Sequence, residues 1–301
     1  MRVVVALGGN ALLRRGDEPR IDIQRANARA AARSLAPLAA EHELVITHGN
    51  GPQVGLLASR EEGDGDVPSA PLDVLGAESE GMIGYLLEQE VGSALPRREL
   101  ATLLTQTLVD PNDPALRSPT KFVGPVYQRE EAADLERQRG WTMQRDGDHY
   151  RRVVGSPAPI GVLELPAIRR LLEGGFLVIA AGGGGVPVHR DEGGALHGIE
   201  GVVDKDRASA LLAEQLQADA LLLLTDVDAV YRDFGTERER AIRTATPKEL
   251  AADEFAAGSM GPKVEAACRF AAGGGTAYIG ALEQAAQILS GDRGTRITAR
   301  P

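Results

Sequence analysis

Apolar runs that stop at glycine recur along this 301-residue chain, and that recurrence restricts the fold more than any other feature. Val3-Val4-Val5-Ala6-Leu7 ends at Gly8-Gly9-Asn10, residues 44–47 end at His48-Gly49-Asn50-Gly51-Pro52, and residues 176–181 end at Gly182-Gly183-Gly184-Gly185. Each run has strand length and is continuously apolar, the pattern of a strand covered on both faces. Helical spacing marks 24–40, 53–59, 75–95, 165–172, 206–216, 262–272 and 281–289, and further strands are expected at 101–107, 221–225 and 276–279. Strand, turn, helix and strand in succession is the arithmetic of a parallel sheet. The spacing therefore predicts an α/β fold in which the glycine turns, Asp226 and Gly280 lie at the carboxyl ends of strands. Ligands bind at such ends in open α/β sheets.

Residues 110–156 depart from this plan. They carry Pro111, Pro114, Pro119 and Pro125, a charged run at 129–139 and the only tryptophan, Trp141. The stretch reads as an inserted excursion, a hairpin-bearing lid rather than part of the main sheet.

Composition narrows the partners. Lys and Arg total 33 against 43 Asp and Glu, a formal net charge of −10, which argues against nucleic acid or an anionic membrane. An anionic substrate must then be held by a few local cations and backbone N–H groups. The single cysteine, Cys268, excludes an intramolecular disulfide and a Cys-rich zinc site, and fits a reducing interior. No apolar run approaches the ~20 residues of a membrane helix, and Met1-Arg2 leads directly into a short strand. A cytoplasmic protein is expected.

Lysine is scarce, at Lys121, Lys205, Lys248 and Lys263 only, while arginine fills most cationic positions. Lys205 stands in Val-Val-Asp-Lys-Asp-Arg, residues 202–207, just where helical spacing begins. A helix N-terminus offers free N–H groups and a favourable dipole to an anion. The plain alternative is a solvated turn with a capping aspartate. Lys121 and Lys263 also sit beside proline or glycine in expected turns, whereas Lys248 reads as an exposed first-turn residue. Glycines at the strand ends let backbone N–H groups approach a phosphate without a Cβ intervening. No Gly-x-x-x-x-Gly-Lys-[Ser/Thr] occurs, and residues 49–55 space their third glycine one position too far for Gly-x-Gly-x-x-Gly. Compact ammonium groups converging on a glycine-walled hollow suit phosphoryl transfer.

Seven stretches, in order, carry a resemblance. They are Val-Ala-Leu-Gly-Gly-Asn-Ala (5–11), His-Gly-Asn-Gly-Pro-Gln-Val-Gly (48–55), Leu-Thr-Gln-Thr-Leu-Val-Asp-Pro (104–111), Pro-Thr-Lys-Phe-Val-Gly-Pro (119–125), Gly-Gly-Gly-Gly-Val-Pro-Val (182–188), Val-Asp-Lys-Asp-Arg-Ala-Ser (203–209) and Gly-Ser-Met-Gly-Pro-Lys-Val-Glu-Ala-Ala (258–267). Over essentially its whole length the chain resembles the carbamate kinases of the amino-acid kinase superfamily. The resemblance implies a three-layer α/β/α fold with a mainly parallel central sheet and a protruding inserted subdomain, about 117–157. That insert would belong to an N-terminal lobe, 1–198, binding carbamate or carbamoyl phosphate, with a C-terminal nucleotide lobe at 199–301. It also implies a homodimer that transfers phosphate reversibly between ATP and carbamate with Mg²⁺, often toward ATP synthesis.

By the same resemblance Lys205 and Lys263 contact the phosphoryl group and nucleotide phosphates, Asp206 orients the lysines, and Lys121 reaches in from the insert. Gly8, Gly9, Asn10, Gly49, Asn50, Gly51, Gly183 and Gly184 would line the small-anion site. Asp226, Val227, Tyr231, Ser259, Met260 and Gly261 fall where the nucleotide is expected. No protein ligand to the metal is implied. Two departures stand out: Ser79-Glu80-Gly81 where the pattern has Thr-Gln-Gly, and Gly155 where proline is usual. The first touches the dimer face or a local contact, the second the return of the insert.

Such a reaction needs no protein nucleophile, and Cys268 lies inside a helical pattern as a small apolar residue. Carbamate brings its own attacking oxygen, so His48 reads as a turn or supporting residue rather than a base. Two other readings stay open: a kinase of another small carboxylate, of acetylglutamate or aspartate type, and a non-catalytic nucleotide-binding sensor on the same fold.

Overall fold

The computed structural model describes residues 1–9, 12–13, 17–60, 70–253, 255 and 260–300. Within it the first apolar run becomes β1 (Arg2–Leu7), paired in parallel with β2 (Glu43–His48) on one side and β12 (Ala220–Thr225) on the other. Outward from β2 lie β9 (Leu177–Ile179) and β3 (Leu100–Thr102); outward from β12 lie β16 (Thr276–Ala281), β17 (Thr295–Ile297) and β15 (Thr244–Ala245). Among the described residues this makes an eight-stranded sheet, parallel throughout except where β17 runs against β16.

Side chains alternate along each strand, so the sheet feeds two cores. Val4, Ala6, Leu221 and Leu223 pack under α6 (Leu165–Glu173), α7 (Lys205–Gln215) and α9 (Met260–Ala272). Val3, Val5, Leu222 and Leu224 pack under α1 (Ile21–Glu41), α3 (Leu72–Ala94) and α10 (Ala285–Ser290). The central strands are buried on both faces, which is why they read as unbroken apolar runs. Truncating one of these side chains, as in Leu222→Ala, costs about 2–5 kcal/mol. The architecture is the expected three layers.

A second sheet of four strands, in the order β11 (Leu196–Gly198), β10 (Val186–Arg190), β4 (Gln106–Val109) and β8 (Pro159–Val162), extends from the end of the first, and β13 (Val230–Arg232) pairs with β14 (Arg240–Ile242). The short helices α4 (Pro114–Arg117) and α8 (Pro247–Leu250) link elements at the surface. The 101–107 run is not one strand: it divides between β3 and β4, which belong to different sheets. Thr105 makes the break, its hydroxyl donating to the Leu103 carbonyl at 3.0 Å. The expected last helix is shorter than 281–289, and β17 after it was not foreseen.

The excursion at 110–156 contains its own three-stranded sheet, β5 (Lys121–Tyr127), β7 (His149–Val154) and β6 (Thr142–Asp146), backed by α5 (Arg129–Arg139). Tyr127, Ala132 and Met143 form a small separate core there. Arg152 lies over the Trp141 ring at 4.3 Å, covering one face of it. The insert meets the body at α2 (Gly51–Arg60), where a Cβ on Gly55 would fall 1.8 Å from the Gly124 Cα. Only glycine permits that approach, and Gly124 also holds a φ of +74°.

Candidate active site

The site grows from the start of α7. Asp204 is its N-cap: one side-chain oxygen accepts from the Asp206 N–H at 2.9 Å and the Arg207 N–H at 3.2 Å. These donors would otherwise be unpaired at a helix start. Ser209 donates back to the Lys205 carbonyl at 2.6 Å, and its hydroxyl lies 2.6 Å from that of Thr47 at the end of β2. The first turn of α7 is thereby tied to the carboxyl edge of the sheet.

Lys205, the first residue of α7, donates to Asp206 Oδ1 at 2.6 Å, and Lys263, in the first turn of α9, donates to Asp206 Oδ2 at 3.1 Å. Lys263 lies at the start of the helix expected over 262–272, and Pro262 is tolerated there because its missing N–H has no intrahelical partner in a first turn. The two lysine side chains are 11% and 12% exposed and the carboxylate 5%, so the three charges compensate one another largely out of water. Burial opposes the ionised form of Asp206, but Lys205 and Lys263 outweigh it and hold the carboxyl well below its usual range. Burial pulls Lys205 below the ordinary lysine value; Asp206 resists this and Lys263 adds to it.

Lys121, at the start of β5, reaches back from the insert to the other carboxylate and pairs with Asp204 Oδ2. Burial works against Asp204 as well, yet the Lys121 ammonium keeps it below the normal carboxylate range. Three ammonium groups thus meet two carboxylates, leaving one net positive charge beside the glycine turns.

Those turns converge on the same place. The Gly8 N–H donates to the Leu224 carbonyl and the Gly49 N–H to the Leu7 carbonyl, at 3.1 and 3.0 Å. A Cβ on Gly49 would lie 3.0 Å from the Gly9 nitrogen and 3.2 Å from Lys205 Cδ, so Gly9, Gly49 and Lys205 are in direct contact. Gly51 opens α2 with free space where a Cβ would stand. Residues Gly182–Gly184 form a single 3-10 turn, with Gly183 and Gly184 at φ +66° and +98°. A Cβ on Gly183 would strike the Asn50 amide at 2.2 Å, and one on Gly184 the Val203 carbonyl at 2.5 Å. Positive φ and these contacts together exclude larger residues there.

Five expected residues touch the charge cluster or the turns around it less directly or not at all. Asp226 and Val227 follow β12, one strand from β1. Tyr231, in β13, donates its hydroxyl to Asp228. Met260 and Gly261 open the helix that carries Lys263. Asn10 and Ser259 lie outside the described residues.

Sequence reasoning left three participants without a role. Asp204 was only a flanking acid, though its fitness as a cap was visible. Ser79 and Glu80, consecutive on α3 and 0% and 1% exposed, hold the far wall: Ser79 accepts from the Asn50 amide at 2.8 Å, and Glu80 accepts from the Gly182 N–H at 2.9 Å. His48 is the supporting residue expected, buried with Nδ1 3.2 Å from the Gly49 carbonyl. Burial takes its pKa down to about 4, the Gly49 carbonyl opposing and Lys205 assisting, so it is uncharged at neutral pH.

Among the described residues no group of three or more His, Cys, Asp or Glu could hold a metal ion. Asp204 and Asp206 have donors on both oxygens. No helix among these residues is long and apolar enough to cross a membrane.

Residues 1–280 match the model of the Amino acid kinase family. A carbamate kinase of Rhizobium meliloti is 52% identical over 303 residues, covering 99% of this chain and 94% of its own. A carbamate kinase of Pyrococcus horikoshii is 47% identical, with 99% of both chains covered. Among solved structures, the carbamate kinase of Giardia lamblia bound to AMP-PNP superposes with a TM-score of 0.90 at 38% identity, over 99% of this chain and 98% of that one.

Proposed function

Because this chain belongs to the carbamate kinases of the amino acid kinase family, we propose that the hollow at the start of α7 moves a phosphoryl group between ATP and carbamate. The observation that carries this reading is one buried carboxylate, Asp206, shared by ammonium groups from two separate helices.

In the direction of ATP synthesis, a terminal phosphate oxygen of ADP attacks the phosphorus of carbamoyl phosphate. The bond to the carbamate oxygen breaks, and carbamate leaves to decompose to ammonia and CO₂. Negative charge stays on the oxygens throughout, so the reaction asks for alignment and charge compensation rather than proton transfer. Lys205 and Lys263 supply the compensation, held by Asp206 at fixed positions before substrate arrives. The N–H groups of Gly9, Gly51 and Gly183, with Asn10 and Asn50, hold the small anion, in turns whose shape Gly8, Gly49 and Gly184 fix through their own backbone bonds. Lys121 adds a third cation from the insert, which acts as a lid. Asp226, Val227, Tyr231, Ser259, Met260 and Gly261 hold the nucleotide. On this reading residues 1–198 bind the small anion and 199–301 the nucleotide, within one continuous sheet.

Mg²⁺ bound with the nucleotide would supply further positive charge against the phosphates. That suits a site whose two central carboxylates already have donors on both oxygens. The enzyme is read as a cytoplasmic homodimer; exposed apolar side chains such as Tyr85 and Leu104 suit a subunit contact, which the mass in solution tests.

The test is to incubate the protein with ADP, Mg²⁺ and carbamoyl phosphate and measure ATP. Rapid formation supports the reading. Phosphorylation of acetylglutamate or aspartate from ATP in its place would make this a kinase of another carboxylate, and nucleotide binding without turnover on any of them would make it a sensor.

A further inference from the structure

Among the described residues, Glu80 is the one buried acid at the site that the proposed chemistry does not use. It is 1% exposed, and its two oxygens differ: Oε1 accepts the Gly182 N–H at 2.9 Å, while Oε2 has no hydrogen-bond partner. No cation pairs with it among the described residues. Glu90 on the same helix shows what a compensated acid looks like here, since Arg29 reaches it at 2.8 Å and Arg25 at 3.7 Å. An ionised carboxylate without a cation and with a bare oxygen is costly to bury.

The surroundings give Glu80 leverage over the anion site. A Cβ on Gly182 would meet His48 Nε2 at 2.4 Å and Glu80 Cγ at 2.8 Å, so the turn is clamped between these side chains. The Gly184 and Gly185 N–H groups bond to the Ala181 and Gly182 carbonyls, and Gly182 gives its own to Glu80. Gly183 is left with the N–H available to a ligand, next to Asn50. Glu80 therefore stands one peptide away from the donor of the small-anion site.

We propose that Glu80 is a positioning residue for the small-anion substrate: as a neutral carboxyl it anchors the Gly182–Gly184 turn, and its ionisation places a negative charge behind that turn and weakens binding of carbamoyl phosphate. Burial pushes Glu80 up to about 8; the Gly182 N–H and the nearby Thr105 backbone and hydroxyl work against that, Thr105 without satisfying Oε2, and Glu164 adds to it. The charged and titratable groups facing this region are Glu164 at the start of α6, uncharged His48 at the end of β2 and, beyond His48, Lys205. Glutamine at this position would make the same anchor without the titration. The inference deepens the proposed function and rests on it.

The test compares the full chain with Glu80→Gln in ATP synthesis from carbamoyl phosphate between pH 6.5 and 9.5. The expected result is a ratio of wild-type to variant KM for carbamoyl phosphate that is constant below pH 7 and about tenfold higher by pH 9, while the ratio of kcat values does not change with pH. Any loss of charge on Lys205 affects both proteins alike and cancels in the ratio. Parallel KM profiles overturn the proposal, as does a variant with lowered kcat and unchanged pH dependence. Should E80Q fail to fold, carboxyl-¹³C glutamate labelling of the wild-type chain decides: a resonance titrating near pH 8 upholds the proposal and none above pH 7 overturns it. A wild-type protein that makes no ATP from carbamoyl phosphate defeats the functional reading instead, and the same NMR titration still decides the ionisation of Glu80.

Discussion

Two lysine–aspartate arrangements stand one residue apart at the start of α7, and they are built for different work. Asp206 is 5% exposed and holds two lysines, each about one-tenth exposed, that come from helices packed on the main sheet. Asp204 holds Lys121, whose side chain is 37% exposed and arrives from the insert, a small sheet with its own core. The first arrangement is rigid and desolvated, so its charges act strongly on whatever enters. The second is screened by water and depends on where the insert sits. The contrast teaches that one residue type can serve as a fixed stabiliser and as a closing contact within a single site, the difference being the body that carries it.

Substitutions can break that contrast. Lys205→Ala and Lys263→Ala are expected to lower turnover by ~10²-fold or more, as loss of a preorganised stabilising group does. Steady-state assays on variants with native circular dichroism check this, and near-normal turnover would remove the distinction. Asp206→Asn leaves two buried ammonium groups without their counter-charge, at a cost of about 3–5 kcal/mol in urea unfolding. Asp204→Asn keeps a capping side chain and loses a pair whose lysine is 37% exposed, so about 1 kcal/mol or less is expected. Equal losses would mean that the two carboxylates are not different in kind.

Lys121→Ala should leave the fold intact and raise KM for carbamoyl phosphate by about tenfold, an effect that shrinks as salt is added. Gly55→Ala gives a sharper version, because its methyl group displaces Gly124 and hence the insert while leaving Lys205, Lys263 and Asp206 untouched. It should reproduce the KM effect of Lys121→Ala; a loss of kcat alone would tie the insert to the rigid cluster.

The smallest effect concerns stability against pH. The pKa of Glu80 is raised by burial to about 8, so its neutral form contributes stability in full below the unfolded value, near 4.5, and that contribution is lost as pH rises through 8. Glu80→Gln should therefore raise Tm by a few degrees at pH 8.5 relative to wild type and by little at pH 5, in thermal denaturation. A gain of the same size at both pH values would mean that Glu80 does not titrate in this range.

Much of this was legible in the sequence, for physical reasons that vary by element. The central strands were visible because strands buried on both faces have no polar alternation to blur them. Lys205 was visible because an acid-flanked lysine before helical spacing has few uses in a core. The division of 101–107 was hidden, since a turn made by one threonine hydroxyl leaves no glycine or proline behind. β17, three residues long after the turn that holds Gly291 and Gly294, is too short to show a period. Glu80 was visible only as a departure from a pattern. Its meaning depends on Gly182, which lies 102 residues away and which helical periodicity cannot reach.

The central claim is that Lys205 and Lys263 act as one unit around Asp206. A double-mutant cycle in turnover, Lys205→Ala, Lys263→Ala and the pair, tests it most directly. The double variant should lose well under the product of the two single losses, a coupling of about 1 kcal/mol or more. Single losses that simply multiply would show two independent lysines and contradict it.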